Sequence, residues 1–413
     1  MPDRGCAVNR SNGVPARRRA VAVLAVAAAA AGVSQSFGRF TYSLLFTDVR
    51  DDLALSNTLA GSLGSTNLFA YLAGTLVVSL GVGRLGLSRT TRIGVVGVTV
   101  GLGVMAWASS APPAFVALAC TGFFAAGVWV TVPALAAAQV APERRGAAIG
   151  VVGAGIGSGI VIASVLHSTV AADDWHAVYR IEAALAAVIA AAALAWLRDP
   201  AAPSPGRGGL DALRAVPAWK RLLTSYGLYG LGMSLMVTFL VAVLREDAGY
   251  SVGAASLAFS CFGVGTVFGG PVFGPLSDRI GRGEALAVAY AVMATMALAI
   301  ASGARPWATV AAFCFGVAFT GEPTIVAARI SDAVTAERFG MVYGLATLAF
   351  GAGLMAGPQL GGLIGDRTGS FRPVFVFAAA IAVVAAGFGW HRPAVSIDGS
   401  GRRRVDASST MGR

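Results

Sequence analysis

ERRGAAIGVVGAGIGSG, running from Glu143 to Gly159, returns 194 residues further on as ERFGMVYGLATLAFGAG, from Glu337 to Gly353. The two copies match at Glu143/Glu337, Arg144/Arg338, Gly146/Gly340, Gly150/Gly344, Gly157/Gly351 and Gly159/Gly353. A second, separate pair gives nearly the same spacing. GRLG at Gly83 aligns with DRIG at Asp278, placing Arg84 against Arg279 and Gly86 against Gly281 at an offset of 195. Two unrelated segments with one period mean that the chain was built by duplication of a unit close to half its length.

What the unit is made of follows from composition. Of 413 residues, 56% are hydrophobic and 12% charged, against roughly 25% charged in a soluble domain. Such a chain belongs in a bilayer. The 54 glycines show no three-residue period, which excludes collagen, and the apolar content excludes disorder. Runs of spanning length lie at Ala20–Phe46, Asn57–Val82, Ile93–Ser109, Pro113–Val140, Ala147–Ala171 and Ala177–Leu197, then at Leu222–Leu244, Gly253–Leu276, Glu284–Ser302, Pro306–Ala328, Phe339–Ile364 and Pro373–Trp390. A span needs about 20 residues, so twelve use roughly 240. The longest polar break, Arg198–Arg221, contains RDPAAPSPGRGG and separates two sets of six. We therefore expect an all-α polytopic membrane protein with a tail at 1–19, a six-helix half at 20–197, a linker at 198–221, a second half at 222–390 and a tail at 391–413. An offset that spans an even number of helices makes the repeat parallel, the arrangement of two-halved transporters that rock around a central site.

The net charge of +11 would suggest nucleic acid in a soluble protein, but here Lys and Arg lie between apolar runs. With the N-terminus inside, internal loops and tails hold 24 of them and external loops 6, leaving Arg39 within the first helix. That asymmetry places both termini in the cytoplasm and removes nucleic acid from the expected partners. Arg17–Arg19 followed by AVAVLAVAAAAAG imitates a signal peptide, yet the apolar stretch continues to Phe46, and cleavage would strand the repeat. Cys6, Cys120, Cys261 and Cys314 form no CxxC pair, and His167, His176 and His391 are widely separated, so neither a metal nor a cofactor is expected. The GxxG spacings after Gly150 lie within an apolar helix rather than after a strand, where close helix packing explains them.

GPLSDRIGR, Gly274–Arg282, falls on the loop between the eighth and ninth spans. It resembles the G-x-L-x-D-R-x-G-R signature of the major facilitator superfamily. SFGRFTYSLLF (from Ser36), AGSLGSTNLFAYLAGTL (from Ala60), SYGLYGLG (from Ser225) and GAGLMAGPQLGGLIGDRTGSF (from Gly351) are similar to its uncharacterised bacterial YbfB/YjiJ branch. The resemblance implies the major facilitator fold in the bacterial cytoplasmic membrane. It also implies that Asp278, Arg279, Gly281 and Arg282 form a conformational latch, and that helices 1, 4, 7 and 10 line the central cavity. In the first copy, SLGVGRLGLSR, Gly83 replaces the acid; Leu118 stands where many proton-coupled members carry Arg, and Gly357-Pro358 is the nearest equivalent of an exchanger Gly-Pro.

On helix 1, Gln35, Arg39 and Tyr42 are four and three apart and share a face. A guanidinium within a span marks a functional site by default and suits an anionic or carboxylate-bearing solute; the alternative is snorkelling or pairing with Asp48 or Asp51. Trp129, Tyr226 and Tyr229 supply amphipathic walls, with packing as the alternative, and Asn67 with Tyr71 suits interhelical hydrogen bonding. Glu322 is the one acid placed deep in a span by counting along the helix, followed by Pro323 and, seven residues on, by Arg329. We assign it the coupling proton, with a fixed ion pair or solute hydrogen bond as the alternative. The reading is a secondary transporter that moves a small organic solute by alternating access with protons, in contact with lipid, a monomer sufficing. An exporter of amphipathic compounds is its rival, since Met233, Met236 and Phe239 suit a permissive cavity. A membrane acyltransferase would need a His-acid pair, for which only His167 with Asp173 or Asp174 offers itself. No P-loop supports an ATP-driven pump.

Overall fold

The computed structural model describes residues 13–141, 144–170, 174–198, 211–390, 395–397 and 403–405. Residues 1–12 with Cys6, Glu143, Asp173, the linker from 199 to 210, and most of the tail after Trp390, including His391, lie outside the described residues.

Apolar runs become long helices wherever no Gly/Pro-rich or charged interruption intervenes. In chain order they are α1 (Gly13–Ala31, continuing as a π-helical segment Gly32–Phe40 and a further turn Thr41–Leu44), α2 (Asn57–Leu85), α3 (Leu87–Met105), α4 (Ala111–Ala137), α5 (Arg145–Thr169) and α6 (Trp175–Trp196). After the linker come α7 (Trp219–Ala242, ending in a π-helical turn Val243–Asp247), α8 (Val252–Ile280), α9 (Arg282–Ser302), α10 (Trp307–Ser331), α11 (Ala336–Thr368) and α12 (Arg372–Gly389). Most of the expected runs fall on one helix each, with ends shifted by caps, whereas the first extends over α1, its π-helical segment and the turn beyond, and ends in a separate short helix that begins at Phe46. The Asp174 carboxylate accepts the His176 N–H and starts α6, and Ser251 does the same for α8 through Ala254 N–H. Gly303 and Gly369, both at φ +67, end α9 and α11 in the left-handed conformation that glycine adopts most readily. Ten helices of the described residues are both long and apolar enough to cross a membrane, and large apolar side chains such as Trp107 (74% exposed) and Val188 (70%) face outward, as lipid requires. One element departs from the all-helical expectation: Val395–Ile397 pairs antiparallel with Arg403–Val405 beyond α12.

The duplication read from sequence has a physical counterpart. Gly86 and Gly281, aligned in the repeat, turn the chain from α2 into α3 and from α8 into α9 with nearly the same backbone angles, φ 84, ψ 158 and φ 98, ψ 150. Residues with a Cβ are strained there. Gly157 and Gly351 also do equivalent work: a Cβ on Gly157 of α5 would meet the Gly263 carbonyl of α8 at 2.9 Å, and one on Gly351 of α11 would meet Leu72 Cδ1 of α2 at 2.8 Å. The next pair, Gly159 and Gly353, abuts α1 at Ser36 and α7 at Gly227. Small residues allow such backbone approach in a membrane, where apolar burial alone gives helices no reason to associate. The contacts α5 on α8 and α11 on α2 join helices from before and after the linker.

Candidate functional site

A small cavity of about 20 Å³, room for about one water molecule, lies where those two groups of helices meet. Its lining is Arg39, Phe40, Tyr42 and Ser43 of α1, Gly64, Asn67 and Leu68 of α2, Met233, Ser234, Val237 and Thr238 of α7, and Pro358 of α11. Two of the residues expected on the helix 1 face, Arg39 and Tyr42, are brought here together. Arg39 belongs to the π-helical segment, an extra-residue distortion that recurs at functional sites because it re-aims side chains. Its guanidinium lies 5.3 Å from the Phe40 ring and 5.9 Å from the Tyr71 ring. Among the described residues it has no carboxylate or hydrogen-bond partner. Pairing with Asp48 or Asp51, the alternative drawn from sequence, is not what the chain does: Asp48 holds His167 and Arg245, and Asp51 holds Arg50. Tyr42 is anchored by donating to the Ala60 carbonyl at 2.5 Å. Asn67 ties three helices, its Nδ2 donating toward Gly38 O, Leu118 O and Thr121 Oγ1, each at 2.9 Å.

The remaining candidates sit elsewhere. Gln35 is buried outside the cavity lining, its Nε2 without an acceptor among the described residues. Trp129 is 39% exposed on α4 and does not line the cavity. Tyr226 and Tyr229 are buried and stack on Phe350 of α11. Tyr229 has a further role that only the structure reveals. Pro323 lacks an N–H, so the Phe319 carbonyl four residues back loses its helical donor, and Tyr229 Oη donates to it at 2.5 Å.

That bond joins α7 to α10 one turn from Glu322, which is wholly buried, with neither carboxylate oxygen hydrogen-bonded among the described residues. Tyr229 and Tyr290 are its electrostatic neighbours. Arg329 does not pair with it and instead donates to the Gly389 and Pro217 carbonyls, both at 3.2 Å. A second acid was missed by counting along the helix: Glu182 of α6 is also wholly buried, 2.6 Å from Thr41 Oγ1.

The two ends of the bundle differ. At the end carrying the linker, Arg282 pairs with Asp278 at 2.6 Å and with Asp332 at 2.8 Å. These contacts stay within the last six helices, and none of them crosses to the first six among the described residues. At the opposite end, Asp48, just past α1, pairs with Arg245 of α7 at 2.6 Å and with His167 of α5 at 2.9 Å, and His167 meets Ser256 of α8 at 2.8 Å. Arg50 pairs with Glu246 at 2.8 Å. The Asp366 carboxylate of α11 caps the start of α2, accepting Asn57 and Thr58 N–H groups at 2.9 and 2.8 Å. Burial works against the Asp48 charge, yet the hydrogen bonds from His167 and Arg245 prevail and hold its carboxyl below the usual range. This end is sealed. His167 is therefore a sealing residue, and Asp174, its suggested partner, belongs to Arg180.

A family model described as "Uncharacterised MFS-type transporter YbfB" matches residues 31–388. The chain belongs to that family of MFS-type transporters. The "Probable transporter SCO4007" of Streptomyces coelicolor is 30% identical over 244 residues, covering 55% of this chain and 56% of that protein, so the match spans little more than half of the relative. The uncharacterised MFS-type transporter YtbD of Bacillus subtilis is 24% identical over 93% of this chain and 96% of its own. Among solved structures, the nucleoside transporter NupG has a TM-score of 0.71 at 15% identity, covering 90% of this chain and 98% of its own. A bacterial homologue of the lysosomal transporter Spinster, in an inward-facing and unoccupied conformation, has 0.74 at 15%, covering 92% and 97%. These two likenesses are of fold.

Proposed function

We propose that the protein is a secondary active transporter of a small organic anion in the bacterial cytoplasmic membrane. It works by alternating access between two six-helix halves, 20–197 and 222–390, with Glu322 carrying the coupling proton. The linker 198–221 and both tails lie in the cytoplasm, which makes the sealed end the outer one. The observation that carries this reading is Arg39. An unpaired guanidinium inside a membrane protein is unfavourable by several kcal/mol (about 3 or more), and it persists where a ligand of opposite charge completes it. Its place in a cavity between the halves supports solute binding rather than snorkelling. Glu322, buried without a cation, supports proton loading, since a carboxyl there is tolerated in its neutral form.

The rival reading, export of amphipathic compounds, draws on Met233, Val237 and Phe40 in the lining and on the class E tetracycline resistance protein of Escherichia coli, 28% identical over 37% of each chain. One experiment separates the two. Purified protein is screened by thermal shift against small carboxylates and phosphates and against amphipathic cations, and hits are then tested in proteoliposomes with a pH gradient. A stabilising organic anion that Arg39→Gln binds roughly tenfold or more weakly, about 1.4 kcal/mol, and whose uphill uptake Glu322→Gln abolishes while exchange survives, is expected. Stabilisation by cations alone, indifferent to Arg39→Gln, overturns the anion assignment.

A further inference from the structure

Glu182 is absent from the mechanism above and is built differently from Glu322. It lies seven residues into α6, about 10 Å along the axis at 1.5 Å per residue, and its side chain is wholly buried. Oε1 lies 2.6 Å from Thr41 Oγ1, while Oε2 has no hydrogen-bond partner among the described residues. No ion pair reaches it among the described residues. None of the charged groups on the elements around it bonds to it among the described residues: Arg89 of α3 is exposed, and His176 of α6 meets Asp174 and the Ala108 carbonyl. Arg39 of α1 lines the cavity, and Tyr42 donates to Ala60 O. His167 of α5 holds Asp48 and Ser256, and Arg92 of α3 bonds the Ala193 and Leu197 carbonyls at the other end of α6. Arg180 of α6 itself pairs with Asp174. Tyr179, one turn back, has a buried hydroxyl with no partner, and it is uncharged.

Counting protons decides the state of this acid. An ionised carboxylate offers about four lone-pair sites, and here at most one donor reaches them, which leaves a buried charge uncompensated. Thr41 Oγ1 also lies 3.3 Å from the Ser36 carbonyl, and its single hydroxyl proton cannot serve both oxygens. A proton on Glu182 resolves both shortages: the acid donates to Thr41 Oγ1, which then donates to Ser36 O. The consequence falls on helix 1. Thr41 closes the π-helical segment, its backbone N–H bonding Ser36 O, and Ser36 Oγ is held in turn by the Ile156 carbonyl of α5 at 2.7 Å. Arg39 lies between these two anchors.

We propose that Glu182 is a second proton-binding site, loaded while the outer end is sealed, whose proton holds the Thr41 end of the segment that presents Arg39. Movement of helix 1 that withdraws Thr41 and admits water releases the proton. The site stands independently of the role given to Glu322.

The test needs no solute. Full-length protein in lipid nanodiscs is followed by infrared difference spectroscopy between neutral and alkaline pH, using wild type, Glu182→Gln, Glu322→Gln and the double variant. Glu182 and Glu322 are the two wholly buried acids among the described residues, so the protonated-carboxyl band of Glu322→Gln is expected to belong to Glu182 and to vanish in the double variant. Thr41→Val should shift the frequency of that band without removing it, a readout that remains if Glu182→Gln fails to fold. A neutral-pH spectrum of Glu322→Gln with no protonated-carboxyl band, or a band unmoved by both Thr41→Val and the double substitution, overturns the proposal.

Discussion

Tyr229 shows how a single hydroxyl can be explained by a residue on another helix. Its donor serves the Phe319 carbonyl, which Pro323 has left without a partner, so the two residues form a coupled pair although 94 positions separate them. Removing the hydroxyl by Tyr229→Phe orphans a partly buried carbonyl and should destabilise the protein by about 1 kcal/mol, read as a lower melting temperature in detergent. Pro323→Ala restores a backbone N–H to the same carbonyl. In that background Tyr229→Phe should therefore have a smaller effect, with a coupling of about 0.5 kcal/mol or more; additive effects would show that the hydroxyl does not substitute for the missing N–H. The sequence contained half of this argument, since the proline and its freed carbonyl are visible by counting. The donor was not, because helix rotation decides which side chain of α7 faces α10. Glu182 was missed for the same reason. Counting from the border of a run measures depth along the axis and says nothing of the direction in which the side chain points, and Glu182 points at Thr41.

At the scale of elements, helix positions were legible because an apolar run is the condition for spanning a bilayer, whereas helix ends depended on caps such as Asp174 and on turns such as Gly303 that a hydropathy pattern does not register. The repeat was legible too, and two of its glycine pairs, Gly157/Gly351 and Gly159/Gly353, mark helix contacts. Their tolerance to substitution follows from what each would strike. A methyl on Gly353 runs into the backbone carbonyl of Gly227, which cannot yield without moving α7 against α11, while a methyl on Gly351 meets the tip of Leu72, a flexible side chain. Gly353→Ala should therefore cost about 1–3 kcal/mol or more, as overpacking does, and Gly351→Ala distinctly less. Melting curves of the two purified variants provide the check, and an equal loss would mean that α7 and α11 can move apart at Gly353 as readily as Leu72 yields at Gly351.

At the scale of the whole molecule, the contacts that distinguish the two ends were the least legible part of the chain. Asp48 and Arg245 lie 197 residues apart and Asp366 and Thr58 lie 308 apart, so each reads in sequence as an ordinary loop charge of no special kind. The signature around Asp278, by contrast, was conspicuous in sequence, yet its described ion pairs stay within the last six helices. On the reading proposed here, the sealed end then rests on the Asp48 cluster, and its pH dependence has a definite sign. Sealing lowers the Asp48 carboxyl below its ordinary range through His167 and Arg245, against the opposing effect of burial. A group lowered in this way stabilises the sealed form throughout the neutral range, and the benefit is lost as pH falls through the lowered value. Asp48→Asn removes it at every pH and leaves Arg245 with Thr47 Oγ1 alone at 2.8 Å. Truncating one partner of a partly buried charge pair costs about 2–5 kcal/mol, enough to shift a two-state equilibrium by more than tenfold. Spin labels in the loops after Asp52 and after Thr368 should therefore report a longer distance in Asp48→Asn at neutral pH than in wild type, and an unchanged distance would move the seal from Asp48 to the Asp366 cap on α2.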